Sequence, residues 1–432
     1  MRANRRGLTS CVVAAAATGV LLIAGCSNSK NADGGGGGGG ASGSFGAIPK
    51  GTIKLCGSYP ISGENAAFGS SGKKTAAVAQ DLINNQFGGI AGHKVEVKIS
   101  DDKSDSQTAV DIANEYASDH KSNQLDCPIV YQISQNPRTA PLQAAVLNKA
   151  KIVMLATQSP NAFHDPSKFP YFFSLNPSYS TLGDVAAHYL IKNKLVKAAV
   201  LTNSLDDSKE YLQGIQDAAA KQGGKIDFVK TVQLPVGAVS AQTQLSQLRT
   251  SNPDVLIVAT QFGFGPIWKS LKAINWTPKI MGDVGTIYDS FNDLGNLAAG
   301  TVAPCWWALN KGESIPDNVV QTINKIAPIN GGFAPDPLIA SQVSVSQILL
   351  AKYAIEKYNS VDPAAIEKAL TELDSTSIPN WWPDLKFNFT GSPRRGPVGD
   401  YGPGICAGTA PDKIGDGFNS VAYVDDYRGA GV

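Results

Sequence analysis

The sequence has few of the residues that hydrolases and metalloproteins use for their chemistry. It contains four histidines, and each is interpreted as a surface residue rather than a catalytic base: His93, His120, His164 and His188. No C-x-x-C or H-x-x-x-H pair occurs, so the spacings do not fit a metal site. No G-x-S-x-G, H-E-x-x-H or calcium-loop motif occurs either. We therefore expect no metal, no cofactor and no enzymatic activity.

An excess of charge is also missing. The 432 residues include 37 basic and 36 acidic side chains, a formal net charge of +1, and no Lys/Arg cluster is interleaved with aromatics. A nucleic-acid partner is therefore not expected. Residues 69–75, "GSSGKKT", resemble a phosphate-binding loop, but that motif requires glycine and Ser or Thr at the places of Ala67 and Lys74. A nucleotide ligand is not expected either.

The N-terminus has the parts of an export signal. "MRANRRG" is basic, and "VVAAAATGVLLIA" is apolar but shorter than the roughly 20 residues that span a bilayer. The run ends in "LLIAGC", which resembles a bacterial lipobox, so Cys26 is predicted to receive a diacylglyceryl group and to become the first residue after cleavage. The alternative is a plain signal peptide in which Cys26 occurs by chance. We predict a signal peptide over residues 1–25.

A glycine-rich segment follows Cys26. The run "NSKNADGGGGGGGASGSFG" cannot bury apolar surface and behaves as a flexible coil. Residues 26–51 are therefore predicted to be a lipidated cysteine and a membrane tether, although a spacer without a role would have the same composition. These segments predict an extracytoplasmic protein, lipid-anchored to the outer face of the bacterial cytoplasmic membrane or lying in the periplasm.

Four cysteines remain once Cys11 of the signal and Cys26 are set aside, and they are Cys56, Cys127, Cys305 and Cys406. In an oxidising compartment, four cysteines suggest two disulfides, with three possible connectivities. Cys56 and Cys127 both belong to apolar strands of the first half, which favours their pairing. That pairing leaves Cys305 with Cys406.

From Thr52 onward, short β-rich runs alternate with helical runs. "TIKLCGSY" and "HKVEVKISDD" predict strands, "GKKTAAVAQDLINN" predicts a helix, and Ser106 is the predicted N-cap of the next helix. The alternation covers residues 52–173 and restarts over residues 178–303. Strands that alternate with helices imply parallel sheets, so we predict an α/β fold with two doubly wound domains. Loops with short strands are predicted for residues 380–432.

The loops that follow the strands carry the candidate binding residues, because ligands of open parallel sheets bind beyond the carboxyl ends of the strands. Neutral hydrogen-bonding side chains occupy several of these loops, and carboxylates occupy two loops of the second half. The candidates are Ser62, Asn65, Ser134, Gln135, Asn136, Thr157, Gln158, Ser159, Gln261, Asp206, Asp207 and Asp283. For any single one of them, a helix cap or a turn residue is the alternative.

The two groups of loops favour different charges. Helix N-termini behind the neutral loops favour an anionic group, because free N–H groups and the helix dipole point at it. The carboxylates of the second half favour a cation. A ligand that has both charges, such as an amino acid, suits a cleft between the two domains.

Residues 60–119 carry a resemblance to a known family. They contain the pattern P-x-[ST]-G, then an aromatic residue with glycine, then "GGI-x-G" and "DD". Later runs follow in the order "MLATQSPN", "PDVLIVATQFG" and "IMGD". In these features the chain resembles the periplasmic binding proteins of the leucine/isoleucine/valine-binding type, which are the substrate-binding subunits of ABC importers. The resemblance covers residues 52–360.

The resemblance implies a type I periplasmic binding protein. Such a protein has two Rossmann-like lobes, joined by a three-strand hinge, that close on the ligand like a Venus flytrap. Crossovers are expected near residues 175–177, near residues 304–307 and within residues 375–385. The expected lobes are, for the N-terminal one, residues 52–175 with 306–378 and, for the C-terminal one, residues 176–305 with 379–432.

The resemblance also implies roles in the cleft for the first lobe. Its loops at residues 134–136 and 157–159 are expected to bind the ligand's carboxylate, and Phe68 is expected to pack nearby. Phe333 matches an aromatic residue that lines the cleft of the family.

The second lobe is expected to close on an ammonium group, for which the family's amino-acid binders use an aromatic residue and an acid. Gln261 stands where the aromatic residue often lies, with Phe262 beside it, and Asp283 lies one residue from the usual acid. Asp207 replaces another common aromatic residue. A ligand without an α-ammonium group, such as an amide or an organic acid, therefore remains an alternative.

The function implied is capture of a small polar molecule, a branched-chain or other amino acid, an amide or an organic acid, and its delivery to the permease subunits of an ABC importer. The protein is expected to be a monomer. The alternative is a ligand-sensing receptor that signals to a membrane partner.

Overall fold

The computed structural model describes residues 45–63, 66–133, 139–260, 264–286, 300–306, 308–310, 312–326, 337–377 and 386–428. For a few residues inside these ranges, Phe68 among them, only the backbone is described. Within this part of the chain, no helix combines the length and the apolar character needed to cross a membrane.

The first half of the body forms a parallel sheet of five strands. The strands are β1 (Ile53–Tyr59), β2 (Val95–Asp101), β3 (Asp126–Gln132), β4 (Val153–Ala156) and β5 (Phe172–Ser174). The helices between them are α1 (Ala66–Asn85), α2 (Ser106–Ser122) and α3 (Ala140–Ala150). The strand order is β2-β1-β3-β4-β5, so the direction of winding reverses between β1 and β3.

The next segment repeats this arrangement. Its strands are β6 (Lys197–Thr202), β7 (Asp227–Gln233), β8 (Val255–Ala259), β9 (Ile280–Gly282) and β10 (Thr301–Cys305). Its helices are α4 (Tyr179–Lys192), α5 (Asp206–Lys221), α6 (Gln242–Arg249) and α7 (Phe264–Ala273). The strand order β7-β6-β8-β9-β10 reverses between β6 and β8. The predicted α/β class with two doubly wound parallel sheets is confirmed.

The last third of the chain contributes to both halves. It contains α8 (Asp317–Ile326), α9 (Pro337–Tyr358), α10 (Pro363–Thr371), a small sheet of β11 (Asp374–Ser377), β12 (Lys386–Asn388) and β13 (Gly396–Val398), and the strands β14 (Gly404–Ile414) and β15 (Gly417–Tyr423). β14 pairs antiparallel with β10, and β15 pairs antiparallel with β14. The tail was predicted as loops with short strands; that prediction is wrong for β14, whose eleven residues extend the second sheet.

Two large hydrophobic cores follow from this path, and the chain passes between them three times. Leu175 packs in the first core and Tyr179 in the second. Ala308 packs in the second core and Leu309 in the first. Phe389 is still in the first core, because β12 pairs with β11 and the Phe389 N–H donates to the Leu373 carbonyl, whereas Ile405 is in the second. The lobe boundaries themselves stay a prediction.

Helix α1 begins earlier than the sequence predicted. Its first residue is Ala66, and the Ser70 hydroxyl donates to the Ala66 carbonyl at 2.8 Å. The small residues of this turn are typical of a loop, but the packing at this point requires residues of that size. A Cβ on Gly69 would lie 2.1 Å from the Pro60 backbone, so the preceding loop lies directly on the helix. Phe68 therefore belongs to a helix rather than to a loop.

Three further elements differ from the prediction. Strand β5 and the helices α4 and α8 were not predicted, since no element was assigned to their segments from the sequence. The N-cap of α2 is Asp105 rather than Ser106: the Asp105 carboxylate accepts a hydrogen bond from the Thr108 N–H.

Both disulfides have the predicted pairing. Cys56–Cys127 links the neighbouring strands β1 and β3, with the Cα atoms 5.0 Å apart. Cys305–Cys406 links β10 to β14, with the Cα atoms 5.8 Å apart. The second bond therefore ties the C-terminal segment to the second parallel sheet.

Helices α4 and α5 approach each other closely because glycines lie at their contact. A Cβ added to Gly183 of α4 would lie 2.7 Å from backbone atoms of Gly214 and Ile215 in α5. A Cβ added to Gly214 would lie 2.9 Å from the Cα of Ser180. This contact sets the position of α5, whose first turn carries Asp206 and Asp207.

We expect Gly183→Ala to lower the free energy of unfolding by about 2 kcal/mol, because the new methyl group meets backbone that cannot move aside without separating the helices. Chemical denaturation followed by circular dichroism measures this. Gly265→Ala in α7 is the matched control: an added Cβ there has nothing within 4 Å, so helix propensity alone acts and stability is unchanged or up to about 1 kcal/mol higher. Equal effects of the two substitutions would contradict the close contact.

Candidate ligand-binding site

The carboxyl ends of the first-sheet strands form one row. In the strand registers, Ser58 of β1 is opposite Gln132 of β3, Gln132 is opposite Ala156 of β4, and Ala156 is opposite Ser174 of β5. The loops that follow β1 and β3 leave the sheet at the point where the winding reverses. Ligands of open α/β sheets bind in the crevice at that point.

The second sheet has the same kind of crevice between β6 and β8. Residues 203–205 follow β6 and lead into α5, and Thr260 follows β8. Asp283 follows β9, the next strand along. Two of the predicted acidic residues, Asp207 and Asp283, are therefore brought to one edge of this sheet.

Gln158 stabilises the loop after β4 through hydrogen bonds of its side chain and its carbonyl. Its Nε2 donates to Gln132 Oε1 at 3.0 Å, and its carbonyl accepts from the Ser174 hydroxyl at 2.6 Å. These bonds join the strand ends of β3, β4 and β5. Gln158 is thus a positioning residue for its two neighbours.

The neighbours, Thr157 and Ser159, have hydroxyl groups suited to a ligand. Both side chains are buried, and neither hydroxyl has a hydrogen-bond partner among the residues that the structure describes. An unpaired buried hydroxyl costs about 1–3 kcal/mol, so a ligand group that accepts from it gains that amount.

His164 lies behind this loop, and its interpretation as a surface residue is wrong. It is 1% exposed, with Nε2 3.1 Å from the Gln158 carbonyl and Nδ1 3.0 Å from the Arg394 carbonyl. Burial lowers the pKa of His164 to about 4, so the ring is neutral near pH 7. His120 is also buried. Periodicity did not predict this burial, because both rings face backbone carbonyls that only the folded chain supplies.

Arg394 holds the same region from the other side. Its guanidinium is 3% exposed, donates to the Phe172 carbonyl at 2.6 Å and lies 3.8 Å from the centre of the Phe173 ring. The segment before β13 is thereby fastened to the end of the first sheet.

Ser62, a predicted ligand contact, is hydrogen-bonded to Asp101. Its hydroxyl donates to Asp101 Oδ2 at 2.6 Å and its N–H donates to Oδ1 at 3.0 Å. Hydrogen bonds from Ser62 and from nearby N–H groups lower the pKa of Asp101, against the opposing effect of burial. Ser62 thus fixes the loop between β1 and α1 against the end of β2.

Asp207 lies half-buried in the first turn of α5. Burial and, to a smaller extent, the nearby carboxylates of Glu210, Asp206 and Asp283 together raise its pKa to about 6, against a lowering hydrogen bond from Tyr179. The ionised form is therefore disfavoured in the folded protein. A cation placed beside Asp207 relieves this unfavourable charge.

Asp283 is 2% exposed and also caps a turn. Its Oδ1 accepts from the N–H and the hydroxyl of Thr286, both at 3.2 Å. Through this oxygen Asp283 is a turn residue, the alternative role that the sequence allowed for it. Its carboxylate also acts electrostatically on Asp207 and on Tyr211, whose hydroxyl donates to the Gly282 carbonyl at 2.9 Å.

Glu210 was not predicted and links the two halves. One of its carboxylate oxygens accepts from the N–H of Asn161, which follows β4, at 2.8 Å, and Asn161 Oδ1 accepts from the N–H of Ser180. The sequence could have indicated Glu210, because it lies one helical turn after Asp206 and Asp207 and therefore on the same face of the helix.

The remaining predicted residues lie outside the described part of the chain, and they are Asn65, Ser134, Gln135, Asn136, Gln261, Phe262 and Phe333. The side chain of Phe68 is likewise not described. Within the described residues, no group of three or more His, Cys, Asp or Glu side chains is placed to hold a metal ion.

The raised pKa of Asp207 predicts a stability cost that depends on pH. A carboxyl whose folded pKa exceeds its unfolded value binds protons more readily in the fold, so its destabilising effect is absent in strong acid and grows as the pH rises through about 6. We expect Asp207→Asn to raise the free energy of unfolding by about 1–2 kcal/mol near neutral pH, with the difference vanishing below about pH 4. Urea denaturation at a series of pH values measures it.

Asp206→Asn is the matched control for this prediction. Asp206 is on the same helical turn, but its side chain is 86% exposed and paired with Lys209. We expect little change in stability from this substitution at any pH. An equal pH dependence in both variants would contradict the special environment of Asp207.

Comparisons with known proteins find relatives in sequence and in fold. An amino acid binding protein of Pseudomonas aeruginosa is 25% identical over 250 residues, which are 56% of this chain and 62% of that protein. The match thus spans less than two thirds of that relative's length.

Two solved structures show the same fold at low sequence identity. The leucine-binding protein LivK of Thermotoga maritima is 16% identical with a TM-score of 0.65, covering 87% of this chain and 99% of that one. The branched-chain amino acid transporter substrate-binding protein LivJ of Streptococcus pneumoniae, in complex with isoleucine, is 16% identical with a TM-score of 0.61, covering 86% and 99%. The pattern of the family described as periplasmic binding protein matches residues 52–395. Because that match extends over most of the chain, this protein belongs to the periplasmic binding protein family.

Proposed function

We propose that the protein is the extracytoplasmic solute-binding subunit of an ABC importer and that it captures a small polar molecule with a cationic group. The observation that carries this proposal is the pair of carboxylates at the crevice of the second sheet. Asp283 is buried, and Asp207 has a raised pKa to which Asp283 contributes. A bound ammonium group attracts both carboxylates and offsets their mutual repulsion. Relief of that repulsion therefore contributes to the free energy of binding.

The first lobe supplies the complementary half of the site. The hydroxyls of Thr157 and Ser159 are donors without partners among the described residues, and a ligand carboxylate accepts from such donors. A ligand with one group for each lobe favours closure, because only the closed arrangement satisfies both. Among the candidate ligands, this favours an amino acid, branched-chain or other, over an amide or an organic acid.

The family and its relatives support a transport role. The family's binding proteins act outside the cytoplasm, and the relatives described above are an amino acid binding protein and two branched-chain amino acid or leucine binding proteins. We propose that the closed, liganded protein docks as a monomer on the permease subunits. The signal at residues 1–25 and the tether at residues 26–51 then hold it at the outer face of the membrane through lipidated Cys26.

The charge of Asp283 is expected to be required for binding a cationic ligand. Asp283→Asn keeps an oxygen that accepts from Thr286, so the turn is preserved while the charge is lost. For the amino acids that stabilise the wild type in a thermal-shift screen, we expect the dissociation constant of this variant to rise about tenfold or more. Isothermal titration calorimetry measures the constants.

Asp206→Asn serves as the control, because it removes a nearby charge that is exposed and already paired with Lys209. Its affinity is expected to match that of the wild type. If Asp283→Asn binds amino acids as tightly as the wild type, or if only uncharged ligands stabilise the wild type, the proposed cationic ligand is wrong.

Lipid anchoring predicts a change of compartment for Cys26→Ser. The serine hydroxyl cannot form the thioether, so the protein is expected to leave the membrane fraction for the soluble one, as seen by immunoblotting of separated cell fractions. Cys11→Ser, in the apolar run of the signal, is the control and is expected to stay with the membranes. Retention of Cys26→Ser in the membrane fraction would contradict the anchor.

A further inference from the structure

A small pocket lies at the crevice of the second sheet. It has a volume of about 140 Å³ and is lined by Asn203, Thr260 and residues 234–238. Asn203 follows β6 and Thr260 follows β8, the two strands between which the winding reverses, and residues 234–238 follow the edge strand β7. The pocket is therefore at the carboxyl edge where ligands of such sheets bind. No residue predicted from the sequence is among those that line it.

The walls of this pocket are mostly apolar. Leu234 forms a buried wall, and Val236 and Ala238 belong to the loop that forms the rim. The polar side chains of the wall are Asn203 and Thr260; Thr260 is 2% exposed, and its hydroxyl has no hydrogen-bond partner among the described residues. A concave, mostly apolar surface with a small number of polar groups is the usual composition of a ligand subsite.

One side chain joins this pocket to the acidic site. Asn203 Nδ2 donates to the Thr260 carbonyl at 2.6 Å, across the crevice. Asn203 Oδ1 accepts from the hydroxyl of Ser208 at 2.8 Å and from the N–H of Leu205 at 2.9 Å. Ser208 follows Asp207 in the first turn of α5. Asn203 thus connects the pocket wall to the first turn of α5, the turn that carries Asp207.

We propose that this pocket takes the apolar side chain of the ligand whose ammonium group lies at Asp207 and Asp283, and that the ligand is an amino acid with a side chain of about the size of a phenyl ring. This inference rests on the proposed function. The size of the pocket sets the class: apolar cavities of about 150 Å³ hold benzene, whereas the methyl group of alanine leaves most of such a space empty. Burial of a ring against Leu234 and Val236 adds affinity in proportion to the apolar area removed from water.

Ala238→Leu in the full-length protein tests the proposal, because it enlarges a side chain that lines the pocket, whereas Asp207 and Asp283 are not among the lining residues. In titration calorimetry, the wild type is expected to bind L-phenylalanine at least about tenfold more tightly than L-alanine. Ala238→Leu is expected to raise the dissociation constant for phenylalanine by about tenfold or more and to leave that for alanine within about threefold. Val239→Leu is the control, since it adds the same side chain at a neighbouring position that is 91% exposed and does not line the pocket.

Methyl NMR of the wild type gives a second measurement that needs no variant. The signals of Leu234 and Val236 are expected to shift with phenylalanine and to stay unchanged with alanine. The pocket proposal is overturned if phenylalanine binds without moving these signals, or if Ala238→Leu weakens both ligands equally or neither. If Asp283→Asn then still weakens both amino acids, the proposed function stands without the pocket. If neither amino acid binds the wild type, the pocket assignment fails, whereas the proposed function fails only if no amino acid stabilises the wild type in the thermal-shift screen.

Discussion

Parallel pairing of the strands is the constraint on which the rest of the molecule depends. In a parallel sheet all carboxyl ends lie at one edge, and both five-strand arrangements reverse their winding between the first and third strands of their own sequence order. Each reversal leaves a crevice between two loops. Thr157 and Ser159 lie at one such edge and Asp207 and Asp283 at the other, although they are distant in sequence. The position of the candidate site therefore follows from the topology of the two sheets, and the side chains there determine its chemistry.

Hydrogen bonds between polar groups hold the structure around these crevices in place. Gln158 is bonded to two strands, Ser62 to Asp101, and Asn203 to both α5 and the end of β8. Beside these supports lie groups that are unsatisfied or electrostatically strained among the described residues: the hydroxyls of Thr157, Ser159 and Thr260, and the carboxylate of Asp207. A protein that must bind and release a ligand benefits from this division, because the free energy of unpaired groups is recovered only when the ligand is present.

Much of the fold was predictable because it depends on local pattern. The alternation of β-rich and helical runs predicted the two parallel sheets, and membership of Cys56 and Cys127 in strands of one half predicted their disulfide. The start of α1 at Ala66 was not predictable in this way, since a run of Ala, Gly and Ser forms a helix there through packing on Pro60. Strand β14 was missed for a similar reason: its residues have weak strand character, and their pairing with β10 supplies the stability.

The candidate site, like the fold, could be predicted from the sequence only in part. From the sequence alone came the class of fold, the edge where a ligand is expected, and the residue types available there, because these follow from periodicity and from loop composition. Only the tertiary structure decided that Ser62 and Gln158 serve the scaffold, that Asp207 shares its surroundings with Asp283 and Glu210, and that residues 234–238 form a pocket with Thr260. The reason is physical: a hydrogen-bond partner, a neighbouring charge and a cavity wall are set by distances between residues far apart in the chain, and the local sequence does not contain those distances.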